Sequence, residues 1–148
     1  MEKVFVQDPA ILEYTTIMSI ETIMKSYKTI AVVGLSADPS RASHRVAAYL
    51  QSAGYTIVPV RPDGEEILGE KVYHSLKDIP FPVDIVDVFR KPETVMPIAR
   101  EAVEIGARVF WLQQGITNEE AEKFCREAGL EVVSDRCMPV EHRRVVGS

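Results

Sequence analysis

The sequence predicts an α/β protein: a single Rossmann-like, three-layer domain around a five-stranded parallel sheet. Two observations carry that prediction. Five short, near-continuous apolar runs, as expected of strands covered on both faces, alternate with stretches of three- and four-residue periodicity. The first strand also leaves through a Gly/Ser turn, Gly34-Leu35-Ser36-Ala37-Asp38-Pro39-Ser40-Arg41-Ala42-Ser43, and runs straight into a helical pattern, which is the first half of a βαβ unit. Right-handed crossovers then favour a doubly wound sheet of order 3-2-1-4-5, with strands counted along the chain.

Asp8-Pro9 reads as an N-cap followed by Pro at N1. Ile17, Ile20, Met24 and Tyr27 recur at helical spacing, so residues 9–27 are expected to form an amphipathic helix. That helix is an N-terminal extension (1–27) ahead of the domain itself (28–148). Ile30-Ala31-Val32-Val33 marks the first strand, over 29–33. Val46, Ala47, Leu50 and Ala53 set a helix over 42–53 that stops at Gly54. The second strand covers 56–60. An irregular stretch follows (Ile67-Leu68-Gly69, Lys71-Val72-Tyr73), then a helical turn that Ser75 can cap. The third strand is 84–89, and Pro92 opens a helix to about 105. The fourth strand is 108–112. Thr117 or Asn118 caps a helix to Ala128, with Gly129 as its C′ residue. The fifth strand is 131–134, and a short helical tail includes 140–144. No repeat or linker divides the chain.

At 148 residues the chain is long enough for one real core. Its apolar share of 46% and charged share of 26% are those of a soluble globular protein. Seventeen Lys and Arg against 22 Asp and Glu leave a net charge of −5, which argues against a nucleic-acid-binding surface. Cys125 and Cys137 are too few for a disulfide scaffold and lack metal-site spacing, so a reducing cytoplasm is expected. No apolar run reaches the roughly 18 residues of a membrane span, and the N-terminus lacks the pattern of a signal peptide.

In an open α/β sheet, ligands bind beyond the carboxyl ends of the strands. After the first strand come Ser36, Ser40, Arg41 and Ser43, at a helix N-terminus whose free N–H groups and dipole favour an anion. The second strand is followed by Arg61-Pro62, the third by Arg90-Lys91-Pro92, the fourth by Gln113-Gln114-Gly115 and the fifth by Asp135-Arg136-Cys137. Basic residues after three strands of a net-acidic chain imply a ligand with several phosphates. Gly34 followed by Ser36 is not the complete G-x-G-x-x-G fingerprint. Arg61 stands where NAD-binding domains usually place an acid, which suits a phosphorylated ribose instead. Coenzyme A and NADP both carry one.

These residues resemble the small stand-alone CoA-binding proteins, whose Rossmann-like fold also serves as the CoA-binding domain of succinyl-CoA synthetases. The resemblance spans about 27–144. It rests on Ala31-Val32-Val33-Gly34-Leu35-Ser36, Arg41-x-Ser43, Val60-Arg61-Pro62, Val86-Asp87-Val88-Phe89-Arg90-Lys91-Pro92, Trp111-Leu112-Gln113-Gln114-Gly115-Ile116 and Asp135-Arg136-Cys137 with Glu141-His142-Arg143. It implies coenzyme A, free or acylated, as the small-molecule ligand, with no nucleic acid and no membrane involved. Gly34, Ser36, Arg41 and Ser43 would face the pyrophosphate. Arg61 would lie near the ribose phosphate, while Val88, Phe89 and Arg90 would flank the adenosine; Leu35, Ser40, Val60, Pro62 and Pro92 belong to the same expected cofactor-binding set. Gln114 and Gly115 would approach the pantetheine arm. His44-Arg45 departs from the pattern by adding charge at the helix start.

If the thiol end of CoA reaches the fifth strand, Cys137 is in range of a mixed disulfide, and Arg136 favours its thiolate; the plain alternative is a small packed residue. Trp111 and Cys125 read as core, and the three histidines have no Ser or Cys partner that would form a triad. CoA ligases also need a phosphorylated His on another domain and an ATP-binding domain, so independent catalysis is not expected. A binding module is the first reading. A CoA-carrying ligase subunit or a thiol–disulfide component is the second, and a nicotinamide-nucleotide sensor the third.

Overall fold

The computed structural model describes residues 19–146. The first strand, β1 (Thr29–Val33), lies inside a parallel sheet that also contains β2 (Thr56–Val60), β5 (Ile85–Val88), β6 (Val109–Leu112) and β7 (Glu131–Val133). The sheet order is β2-β1-β5-β6-β7. The α/β class and the five parallel strands are as expected, but the order is not. Counted over these five strands it is 2-1-3-4-5 rather than 3-2-1-4-5, because the third long strand pairs with β1 (Ile30↔Ile85 to Val33↔Val88) and not with β2.

Two local features account for the correction. The outer edge of β2 is taken by the chain that follows it: the Tyr73 N–H donates to Pro59 O (2.9 Å) and the Arg61 N–H to Tyr73 O (3.0 Å). The entrance of β5 is meanwhile clamped beside β1, where Asp84 Oδ2 accepts the N–H groups of Lys28 and Thr29, both at 3.1 Å. The strand order therefore reverses between β1 and β5, and the crevice of such a sheet opens at that point.

The stretch expected to be irregular contains an antiparallel hairpin, β3 (Glu66–Ile67) and β4 (Glu70–Lys71). Leu68 and Gly69 turn it with φ of 55° and 77°, the two left-handed residues that a tight hairpin needs. Helix α1 (Ile20–Ser26) starts at Ser19, whose extended backbone and side-chain bond to the Thr22 N–H form an N-cap. The helix expected over 9–27 thus does not run through Ser19, and the Asp8-Pro9 start lies outside the described residues. Helix α2 (Ala42–Ser52) follows β1. A 3-10 turn, Leu76–Asp78, follows Ser75, whose side chain makes no cap bond. Another 3-10 turn, Pro92–Thr94, leads into α3 (Val95–Glu104). Asn118 caps α4 (Glu119–Glu127) through the Ala121 N–H. The tail helix α5 (Met138–Val146) is longer than its expected core.

Apolar side chains fill both sides of the sheet. On one side, Ile30, Val32, Ile85, Val109 and Trp111 pack with Ile23 and Met24 of α1, Ala47 and Leu50 of α2, and Met138 of α5. On the other, Ala31, Val33, Val86, Val88, Phe110 and Leu112 pack with Ala99 and Ala102 of α3 and with Ala121 and Cys125 of α4. Among the described residues, no helix is long and apolar enough to cross a membrane.

Candidate functional site

The exits of β1 and β5 are pressed together. The Gly34 N–H donates to Val60 O at 2.9 Å, and its φ is +91°. A Cβ at Gly34 would sit 2.3 Å from the Phe89 carbonyl oxygen and 3.3 Å from Arg90 Nε. Only glycine fits there, on grounds of both conformation and space.

The loop beyond Gly34 is held by its own polar groups. Ser43 Oγ accepts the Ser36 N–H (2.9 Å), and Ser36 Oγ accepts the Asp38 N–H (3.0 Å). Asp38 Oδ1 accepts both the N–H and the O–H of Ser40 (2.9 and 2.8 Å). Those two bonds, the backbone one first, hold the Asp38 carboxyl below its usual range. The His44 ring donates from Nδ1 to Ser36 O at 2.9 Å, and Arg45 donates to Ser40 O. Helix α2 then begins at Arg41, which provides no side-chain cap. The N–H groups of Ala42 and Ser43 have no hydrogen-bond partner among the described residues, and the first turn carries no acid. These donors and the positive end of the helix dipole face outward at the lip of the sheet.

Three adjoining clefts open at this lip. The largest, about 460 Å³, lies between the Gly34-Leu35-Ser36 turn, Arg41, Arg61-Pro62-Asp63 and Arg90. The second, about 240 Å³, runs from Gly34 and Ser36 past Arg41, Ala42 and Ser43 to Phe89, Arg90, Lys91 and Ile116. The third, about 150 Å³, has walls of Val33, Val60, Leu76, Pro97 and Ile98, with Arg61, Pro62, His74, Ser75, Arg90 and Glu101 around them. Arg90 borders all three.

Arg61 is half-buried and steered from two sides: Nε donates to Asp63 Oδ1 (2.9 Å) and Nη1 to Leu35 O (3.3 Å). Arg41, Arg90 and Lys91 have no ion-pair partner among the described residues. A net-acidic chain thus gathers four cations around one glycine turn, which is the arrangement that draws a polyanion.

The structure brings together most of the expected residues: Gly34, Leu35, Ser36, Arg41, Ser43, Val60, Arg61, Pro62, Phe89 and Arg90 line these clefts. Others stand apart. Ser40 is exposed and engaged by Asp38. Val88 is fully buried in the sheet. Pro92 lies outside the clefts, where its carbonyl accepts from Asn118 Nδ2 at 2.9 Å. Gln114 and Gly115 are exposed on the next turn, where the Gly115 N–H donates to Asp135 Oδ1 (2.7 Å). Cys137 is a free, half-buried thiol just before α5. The sequence reading missed the lining formed by His74, Ser75, Leu76, Pro97, Ile98 and Glu101. The spacing of Pro97, Ile98 and Glu101 along one helix face was the available signal.

Residues 28–143 match the family model described as the CoA binding domain. The chain belongs to that family. YneT of Bacillus subtilis (strain 168) is 49% identical over 123 residues, which cover 83% of this chain and 91% of YneT. A solved protein of Pyrococcus horikoshii OT3 is 40% identical with a TM-score of 0.84, and the match covers 99% of this chain and all of that one (100%). The alpha subunit of the ADP-forming acetate–CoA ligase II of Pyrococcus furiosus is 28% identical over 122 residues, 75% of this chain. The match spans only 27% of that subunit's length.

Proposed function

We propose that this chain binds coenzyme A, free or as a thioester, across the β1–β5 lip, and serves as a binding module. The observation that carries the reading is the convergence of Arg41, Arg61 and Arg90 on the Gly34 turn. The pyrophosphate lies against Ser36 and the free N–H groups of Ala42 and Ser43. The phosphate on the ribose lies between Arg61 and Arg90, as a charge-assisted contact of guanidinium with phosphate. The apolar slot between Val60, Leu76 and Ile98 takes the adenine, with the carboxylate of Glu101 at its edge. The pantetheine arm leaves past Ile116 towards Gln114 and Gly115. The Gly115–Asp135 bond brings the Cys137 turn alongside that end, where the Cys137 thiolate attacks the disulfide of oxidised CoA, forming the Cys137–CoA mixed disulfide and releasing one CoA thiolate.

Titration calorimetry with CoA, 3′-dephospho-CoA, NADP and NAD tests this reading. CoA is expected to bind tightest. Arg61→Ala is expected to weaken CoA about tenfold while leaving dephospho-CoA nearly unchanged. Equal losses for both ligands would remove Arg61 from the ribose phosphate. Preference for NADP over CoA would replace the reading with the nicotinamide-nucleotide one.

A further inference from the structure

Asp87 is a carboxyl group at the centre of the sheet with no access to water. It sits on β5 in register with Val32 of β1 and Trp111 of β6. One oxygen, Oδ1, accepts from Gln113 Nε2 at 2.7 Å, and the other, Oδ2, is buried with no partner among the described residues. No cation pairs with it among the described residues. A buried carboxylate with one neutral donor is costly: burial pushes its pKa up to about 7, while the Gln113 bond pulls the other way.

Gln113 stands at the junction of everything on the far side of the site. Its Oε1 accepts the Met138 N–H at the start of α5 (3.4 Å), and its carbonyl accepts the Ile116 N–H (2.9 Å), closing the turn that carries Ile116 into the second cleft. That turn is tied to the one before α5 by the Gly115 N–H bond to Asp135 Oδ1, and the end of β6 is tied to it by the Arg136 N–H to Leu112 O (3.3 Å) and by Trp111 Nε1 to Arg136 O (2.9 Å). Removal of Asp87 leaves the Gln113 amide buried without its acceptor, and the whole assembly loses its fixed point.

We propose that Asp87 is a positioning residue. Acting through Gln113, it sets the 113–116 turn and the first turn of α5, and with them the wall of the cleft opposite the α2 N-terminus. As far as it concerns the ligand, this rests on the CoA reading above; as a statement about the wall it does not. Because only Oδ1 bonds Gln113, an asparagine carbonyl oxygen can take over that acceptor role, whereas leucine cannot.

The test compares Asp87→Asn, Asp87→Leu and Gln113→Leu by amide hydrogen exchange at residues 114–116 and 138–141 of the free protein, with CoA calorimetry on the same samples. Both leucine variants are expected to speed exchange there about tenfold, with Asp87→Asn close to wild type. CoA affinity is expected to fall about tenfold in Asp87→Leu and to be restored in Asp87→Asn. If Asp87→Leu does not fold, Gln113→Leu supplies the same readout. Unchanged exchange in the leucine variants, or an asparagine variant as disturbed as the leucine one, overturns the proposal. Wild type that fails to bind CoA while the exchange pattern holds overturns the ligand reading alone.

Discussion

The two faces of the sheet are packed by different chemistry. The face under α3 and α4 is almost purely apolar: Ala31, Val33, Val86, Val88, Phe110 and Leu112 meet alanines, valines and Cys125. The face under α1, α2 and α5 buries polar groups as well. Asp87 meets Gln113, the Trp111 indole N–H meets Arg136 O, and the Tyr55 hydroxyl donates to Met24 O at 2.6 Å. The Tyr49 hydroxyl and His142 Nδ1 share a hydrogen bond of 2.9 Å, and burial together with the charges of Lys28 and Arg143 keeps that ring's pKa below its ordinary value. Apolar contact is non-directional and supplies stability, whereas hydrogen bonds fix where an element stands. The polar face is the one covered by α2, whose first residues border the second cleft, so directional bonds are concentrated on the side that shapes the lip.

Four mutations or conditions sharpen or break this contrast. Phe110→Ala on the apolar face is expected to cost about 3–5 kcal/mol, by the same amount at pH 5 and pH 8, as read from urea unfolding. A pH-dependent cost would mean that titrating groups reach this face too.

Next in size is the pH dependence attached to Asp87. Its ordinary pKa of 3.8 applies when the chain is unfolded, and about 7 applies when it is folded. Between these values the folded protein holds a proton that the unfolded chain has released. Stability contributed by this group therefore falls as pH rises from about 4 to 7 and levels off above. In Asp87→Asn that component of the slope is absent, so the variant gains on wild type by a few kcal/mol between pH 4 and pH 8, in order of magnitude. A flat difference curve would show that the carboxyl is ionised or hydrated in the native state.

The two thiols report the contrast kinetically. Burial pushes the Cys125 thiol up to about 12, whereas Cys137 is half-exposed at the edge of the polar face. A maleimide is expected to label Cys137 at least about tenfold faster in the native protein. Equal rates would mean that the apolar face opens as readily as the rim. Smallest is Tyr49→Phe, expected to cost about 1 kcal/mol as the His142 bond is lost. A neutral result would leave that bond without a share in holding α5.

The strands were legible because Ile30-Ala31-Val32-Val33 and Ile85-Val86 are apolar on both faces, as buried parallel strands must be. That same property hid their order. A strand apolar on both faces does not say which neighbour it pairs with, and the answer lay in Asp84 and in the return of Tyr73 along β2. Arg61 and Arg90 were legible because residues just past parallel strands fall at the lip whatever the order. Their closeness was not, since it follows from β5 lying beside β1. His74, Ser75 and Glu101 escaped because their place depends on how the whole 61–84 segment folds back. Asp87 was passed over inside an apolar motif, though a carboxylate in the middle of a buried strand is itself an anomaly worth reading.

Helix α2 begins with a guanidinium-bearing residue where most helices place Ser, Thr, Asp or Asn, and nothing in its first turn offsets the dipole. If the proposed ligand supplies the anion that completes this end, thermal endurance becomes a gauge of occupancy, climbing with the logarithm of the solute's concentration.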